Sequence, residues 1–116
     1  MNDFDIPIFK KSYDLYKMLH EYRKLVPKHD RFTVFERCEQ TMLNIIEGIM
    51  LASGQRGKDK LPALEGVNFK LNMLRVFIRL LKDIKAIDSK KYVTLESATD
   101  EIGRMLGGWI KSTKSR

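Results

Sequence analysis

The sequence predicts an all-α fold, an up-down-up-down bundle of four helices, and three observations predict it. Apolar residues recur at intervals of three and four through four long segments. A proline, a glycine or an Asp-Ser pair separates each segment from the next, with short connections between. No segment shows the alternation and turn residues of a hairpin strand. At 116 residues the chain suits one domain, residues 1–116, around one hydrophobic core.

The first helix is expected over about residues 7–26. Pro7 suits a first turn, and Pro27 closes the segment. Ile8, Leu15, Leu19, Tyr22 and Val26 share one face, with Ser12 filling the gap. The second helix is expected over about 30–52, with Asp30 as N-cap and Ser53-Gly54 as its end. Its inward face reads Phe35, Cys38, Met42, Ile45 and Ile49. The loop that follows, Gly54-Gln-Arg-Gly57-Lys58, contains a G-x-x-G string. A P-loop needs wider glycine spacing, a Ser or Thr after the lysine and a preceding strand, and a KH domain needs a sheet. A flexible connection is the first reading of this loop, and a phosphate contact is the other.

Pro62 opens the third helix, expected over about 62–87. Leu64, Val67, Leu71, Leu74, Ile78 and Leu81 form one complete core stripe, and Phe69, Met73, Phe77, Leu80, Ile84 and Ile87 form a second beside it. With residues about 100° apart, the two stripes cover more than half the circumference, more than one bundle core buries. The surplus implies an interface. Self-association through Phe69, Met73, Phe77, Leu80 and Ile84 is the first reading, and cover by loops or by Phe4 and Ile6 is the alternative. The remaining side carries Asn68, Asn72, Arg75, Arg79 and Lys82, interrupted by Glu65 and Asp83. Arg75 and Arg79 are four apart, point the same way and could clamp a phosphate or carboxylate. They could equally be a solvated face.

Asp88-Ser89 supplies a turn and an N-cap for the fourth helix, expected over about 90–111, with Leu95, Ile102, Leu106 and Trp109 inward. Gly103, Gly107 and Gly108 lie within it, and each costs about 1 kcal/mol relative to alanine. Gly103 and Gly107, with Thr99 one turn earlier, form a small-residue strip for close approach of another helix, at an oligomer interface. A weakened helix end and a ligand or nucleic-acid contact are the alternatives.

Net charge is +7 with 32% charged and 43% hydrophobic residues, a globular composition whose basic balance favours polyanionic partners without giving specificity. Segments 7–27, 62–87 and 88–116 are each net positive, whereas 30–53 is net negative. No apolar run approaches the roughly 20 residues of a bilayer span, and Met1-Asn-Asp-Phe-Asp5 does not read as a secretory signal. The single cysteine, Cys38, cannot form an internal disulfide. A cytoplasmic location without membrane contact is expected. Catalytic constellations are sparse. Lys17 stands where a di-iron helix would place Glu before His20, and no Cys-His cluster has zinc spacing. Cys38 falls on a core stripe and reads as an inert thiol, and Glu96 with Asp100 reads as a solvated face. No catalytic residue, metal, cofactor or small-molecule substrate is expected, so the chain is not read as an enzyme.

Three stretches carry a family resemblance: Arg31-Phe-Thr-Val-Phe-Glu-Arg37, Leu74-Arg75-Val-Phe-Ile-Arg79-Leu-Leu-Lys82-Asp83, and Ile102-Gly103-Arg104-Met-Leu106-Gly107-Gly-Trp109-Ile110. Over about Tyr13 to Lys111 the chain resembles the accessory variability determinant proteins of diversity-generating retroelements. Their wider relatives are four-helix-bundle proteins encoded in ribosomal-RNA intervening sequences. The resemblance implies a homopentameric ring with a basic surface that binds the retroelement's reverse transcriptase and its template RNA, or an RNA/DNA hybrid. Such a protein supports mutagenic complementary-DNA synthesis without catalysing it. Carried over by position, Arg75, Arg79, Lys82 and Arg104 are the expected polymerase or RNA contacts, with a pairing to an acidic neighbouring subunit as the alternative for Arg104. A structural oligomer of the intervening-sequence type, without a dedicated polymerase, is the alternative, and an enzyme with a site between subunits is a third.

Overall fold

Four rows of apolar side chains close on one core, and the rows are those the helical periodicity marks. In the computed structural model, which describes residues 6–115, α1 spans Pro7–Arg23, α2 Lys28–Arg31, α3 Val34–Ser53, α4 Leu61–Asp83 and α5 Ser89–Lys114, with a 3-10 turn at Gly57–Lys60. No strand occurs among the described residues. The long helices α1, α3, α4 and α5 form a four-helix bundle of 46 × 23 × 21 Å, with α4 between α3 and α5 and α1 closing the square against α3 and α5.

Each long helix buries its expected face. Ile8, Leu15 and Leu19 of α1 are buried, as is Ser12, whose hydroxyl has no hydrogen-bond partner among the described residues. Phe35, Cys38, Met42, Ile45 and Ile49 of α3 are fully covered, and so are Leu95, Ile102 and Leu106 of α5. Trp109 is half-buried and packs against this core. Thr99 and Thr113 are buried in α5 without an orphaned hydroxyl, because each donates to the carbonyl four residues earlier, Leu95 at 2.7 Å and Trp109 at 2.8 Å.

The helix ends depart from expectation for local reasons. The first helix stops at Arg23, three residues before Val26, because Pro27 pushes its predecessor out of helical conformation. Arg31 caps the freed end, its Nε donating to the Val26 carbonyl at 2.9 Å and its Nη2 to that of Lys24 at 3.0 Å. Asp30 is not an N-cap. It lies inside the short α2, and α3 begins only at Val34 after an irregular Thr33. The third long helix ends at Asp83 instead of Ile87 in a Schellman turn. There the Lys85 N–H donates to the Lys82 carbonyl at 3.0 Å and the Ala86 N–H to that of Leu81 at 2.8 Å. That motif places Lys85 at φ 62°, the one non-glycine residue with positive φ among those described. The turn carries Ile87 back into the core, so it leaves the second stripe. Asp88 caps α5 as expected, its carboxylate accepting the Lys91 N–H at 2.8 Å.

A glycine outside the glycine-rich segment also sits at a close helix contact. At Gly48 of α3 an added methyl would overlap Val67 Cγ2 of α4. The glycine therefore sets how closely these two helices approach. Beside the core, Arg23 of α1 pairs with Glu39 of α3, a carboxylate side chain only 10% exposed. That pairing satisfies a charge that burial would otherwise penalise.

Candidate interaction surface

α4 presents three faces, each with a different fate. Leu64, Val67, Leu71, Leu74, Ile78 and Leu81 point into the core. The second stripe does not: Phe69 is 61% exposed, Leu80 40% and Ile84 42%, while Met73 and Phe77 are half-buried. Val76, 58% exposed, joins the same face, although the sequence reading passed over it. Ile6 is half-buried against the core and leaves this stripe exposed, while Phe4 lies outside the described residues. The apolar strip runs into a shallow groove of about 360 Å³ where Phe77 and Leu80 meet Phe32, Val34 and Arg37. Phe32 is itself 61% exposed, and the Arg37 guanidinium lies 5.7 Å from the Phe77 ring centroid.

The third face turns toward α5, and its basic residues are engaged there one by one. Arg75 forms an ion pair with Asp100 across the α4–α5 contact. Gly103 leaves room for the guanidinium in this position, since a methyl there would lie 2.5 Å from Arg75 Nη2. The close approach at Gly103 is thus made by a side chain of the same protomer. Arg79 pairs with Asp83 at 3.1 Å, one turn along its own helix, and this carboxylate's hydrogen bond and charge hold the guanidinium above its ordinary pKa. Arg75 and Arg79 therefore do not form a shared clamp; each has its own carboxylate. Lys82 rests 4.6 Å from the Tyr92 ring centroid. The Tyr92 hydroxyl donates to Glu96 at 2.5 Å, a bond that raises the phenol's pKa. Glu96 and Asp100, expected as a merely solvated pair, are the partners of Tyr92 and Arg75.

Arg104 is exposed on the outer face of α5 and has no ion-pair partner among the described residues. Gly107 and Gly108 are exposed beside it, with open space where a side chain would stand. Packing within the protomer accounts for Gly103 but not for this second pair.

The other candidate positions resolve locally. The G-x-x-G loop leads into the 3-10 turn, whose first residue, Gly57, has φ 52°. Lys60 Nζ donates to the Ala52 carbonyl at 3.1 Å and also to that of Gln55, so it caps the end of α3. Cys38 is buried, and its thiol is pushed up to about 12 by desolvation, with the neighbouring Glu39 adding to the shift. No group of His, Cys, Asp and Glu that could hold a metal occurs among the described residues, and no helix there is long and apolar enough to cross a membrane.

Sequence reasoning missed Gly48, Val76 and the outward Phe32. Gly48 had a signal, a lone glycine between Ile45 and Ile49 on the buried row, whereas Phe32 became legible only once the chain broke at Thr33.

The family model described as bAvd-like matches residues 7–113. No curated protein matches the chain.

Proposed function

We propose that this chain, which belongs to the bAvd-like family of accessory variability determinants, is a non-catalytic accessory protein of a diversity-generating retroelement. In that role it binds the retroelement's reverse transcriptase and template RNA in the cytoplasm and supports mutagenic complementary-DNA synthesis. The observation that carries this reading is the family match over residues 7–113, nearly the whole chain. The protomer's own surface supports the oligomeric part. α4 leaves Phe69, Val76, Leu80 and Ile84 uncovered, a contiguous apolar face of a kind that marks an interface.

A homopentameric ring is built from head-to-tail contacts, in which one patch meets a different patch on the neighbour. We assign the first patch to Phe69, Met73, Phe77, Leu80 and Ile84. The second is the outer face of α5, where Gly107 and Gly108 leave the helix backbone bare. Polymerase and RNA contacts are proposed for Arg79, Lys82 and Arg104, acting through phosphate neutralisation instead of base reading. Arg75 joins them only by releasing Asp100, so its first role is to tie α4 to α5.

Co-expression with the reverse transcriptase of a diversity-generating retroelement tests the reading. The two proteins are expected to co-purify, and template-region RNA should bind far more weakly as salt rises. Light scattering should give five times the 13.6 kDa protomer mass, and Phe69→Glu with Leu80→Glu should reduce it. An oligomer that ignores both polymerase and RNA would leave the structural intervening-sequence reading in its place.

A further inference from the structure

One end of the bundle holds a cleft that shares only Lys82 with the proposed polymerase and RNA contacts. It measures about 600 Å³ and opens between the chain after α1 and the turn joining α4 to α5. Its size lies within the range of small-ligand sites. Val26, Ala86 and Ile87 are buried and form an apolar floor, while Leu25, 60% exposed, forms part of the wall. Three lysines line it, Lys82, Lys85 and Lys91, against a single carboxylate, Asp88.

The charges in this cleft are unevenly satisfied. Lys91 Nζ lies 3.0 Å from Asp88 Oδ2, and Asp88 also accepts the Lys91 N–H as the N-cap of α5. The three lysine side chains supply the formal positive charge of the cleft. Lys82 has only the face of Tyr92 as a partner, and Lys85 has no ion-pair partner among the described residues. Lys85 also stands at the left-handed position of the Schellman turn, φ 62°, where glycine is the unstrained choice. A lysine held there costs backbone strain and brings an ammonium to the cleft, and strain of this kind clusters at ligand sites.

We propose that this cleft binds the terminal phosphate of a nucleotide. With three ammonium groups and one carboxylate the cleft carries a net charge of +2, which a phosphate monoester, about −2 at neutral pH, balances. A phosphodiester or a single carboxylate does not. The apolar floor and the Leu25 wall take the body attached to the phosphate. The monoester could come from a free mononucleotide or from the phosphorylated end of a nucleic-acid strand.

The test is a titration of the full-length protein, followed by amide NMR at fixed ionic strength, with 5′-AMP, adenosine, and a short oligonucleotide bearing either a 5′-phosphate or a 5′-hydroxyl. Saturable shifts centred on Lys85–Lys91 are expected with 5′-AMP and none with adenosine. Lys85→Gly removes the ammonium and relieves the left-handed backbone, so the variant folds, and binding should fall about tenfold for one charged hydrogen bond. A 5′-phosphorylated oligonucleotide that binds much more tightly than 5′-AMP identifies the strand end as the source; equal affinity identifies the mononucleotide. The proposal is overturned if adenosine binds as well as 5′-AMP, if Lys85→Gly binds unchanged, or if shifts spread equally to Arg104 and Lys111. None of these outcomes bears on co-purification with the polymerase.

Discussion

Replacing Gly48 by alanine tests the claim that this glycine sets the α3–α4 approach. The new methyl would stand 3.8 Å from Val67 Cβ but overlap its Cγ2, and Val67 is only 2% exposed within the core. Carbon atoms rest at about 3.5–4 Å, so the helices or the valine must give by about 1 Å. Overpacking of this kind costs about 1–3 kcal/mol. Alanine recovers about 1 kcal/mol of helix propensity. The net expectation is a loss of about 1 kcal/mol, which lowers the melting temperature by about 4 °C or more in a chain of this size. Thermal unfolding by circular dichroism at matched protein concentration reads the change, since association also contributes to apparent stability. Val67→Ala makes room for the methyl, so the double variant should be more stable than the sum of the single losses, with a coupling of about 1 kcal/mol. A Gly48→Ala protein that melts at or above the parent, or a strictly additive double variant, would refute the reasoning.

The outer glycines give the opposite expectation. Gly107→Ala and Gly108→Ala meet open space in the protomer, so each should raise helix stability by up to about 1 kcal/mol, while Gly107→Ala should make the oligomer dissociate at higher concentration in light scattering. An unchanged oligomer would remove Gly107 from the interface. Cys38, with its thiol pushed up to about 12, should react with a thiol reagent at pH 8 only as fast as the protein opens; rapid labelling of the native protein would contradict its placement. Asp88 is held below its ordinary value of 3.8, chiefly by the Lys91 backbone N–H. A depressed folded value means its contribution is complete above the ordinary value and lost as the pH falls through the lower one. Asp88→Asn should therefore flatten the acid limb of the stability profile below about pH 4, and an unaltered limb would show that the cap does not hold α5.

The arginines of α4 show where reading a sequence reaches its limit. Arg75 and Arg79 are correctly placed on one side of the helix by their spacing, because helical geometry is local. Whether they are free is not local. Asp100, twenty-five residues from Arg75, becomes its partner only when α5 packs alongside and Gly103 leaves room for the guanidinium. The same holds for Glu39, whose burial depends on Arg23 arriving from α1. The second stripe was legible as surplus apolar surface because the width of a helix face follows from counting residues. Its exposure in the protomer required the other helices to be in place.

The sequence by itself determined the four long helices, the inward row on each and the presence of an apolar face too wide for one core. Those properties follow from the 3.6-residue period and from proline, glycine and Asp-Ser punctuation, which act over a few residues. Tertiary structure alone decided which cations are neutralised, why Gly103 is accounted for inside the chain while Gly107 and Gly108 are not, and that Lys82, Lys85 and Lys91 share a cleft. These depend on distances between helices remote in sequence, such as those that seat Val67 against Gly48 and Arg75 against Gly103.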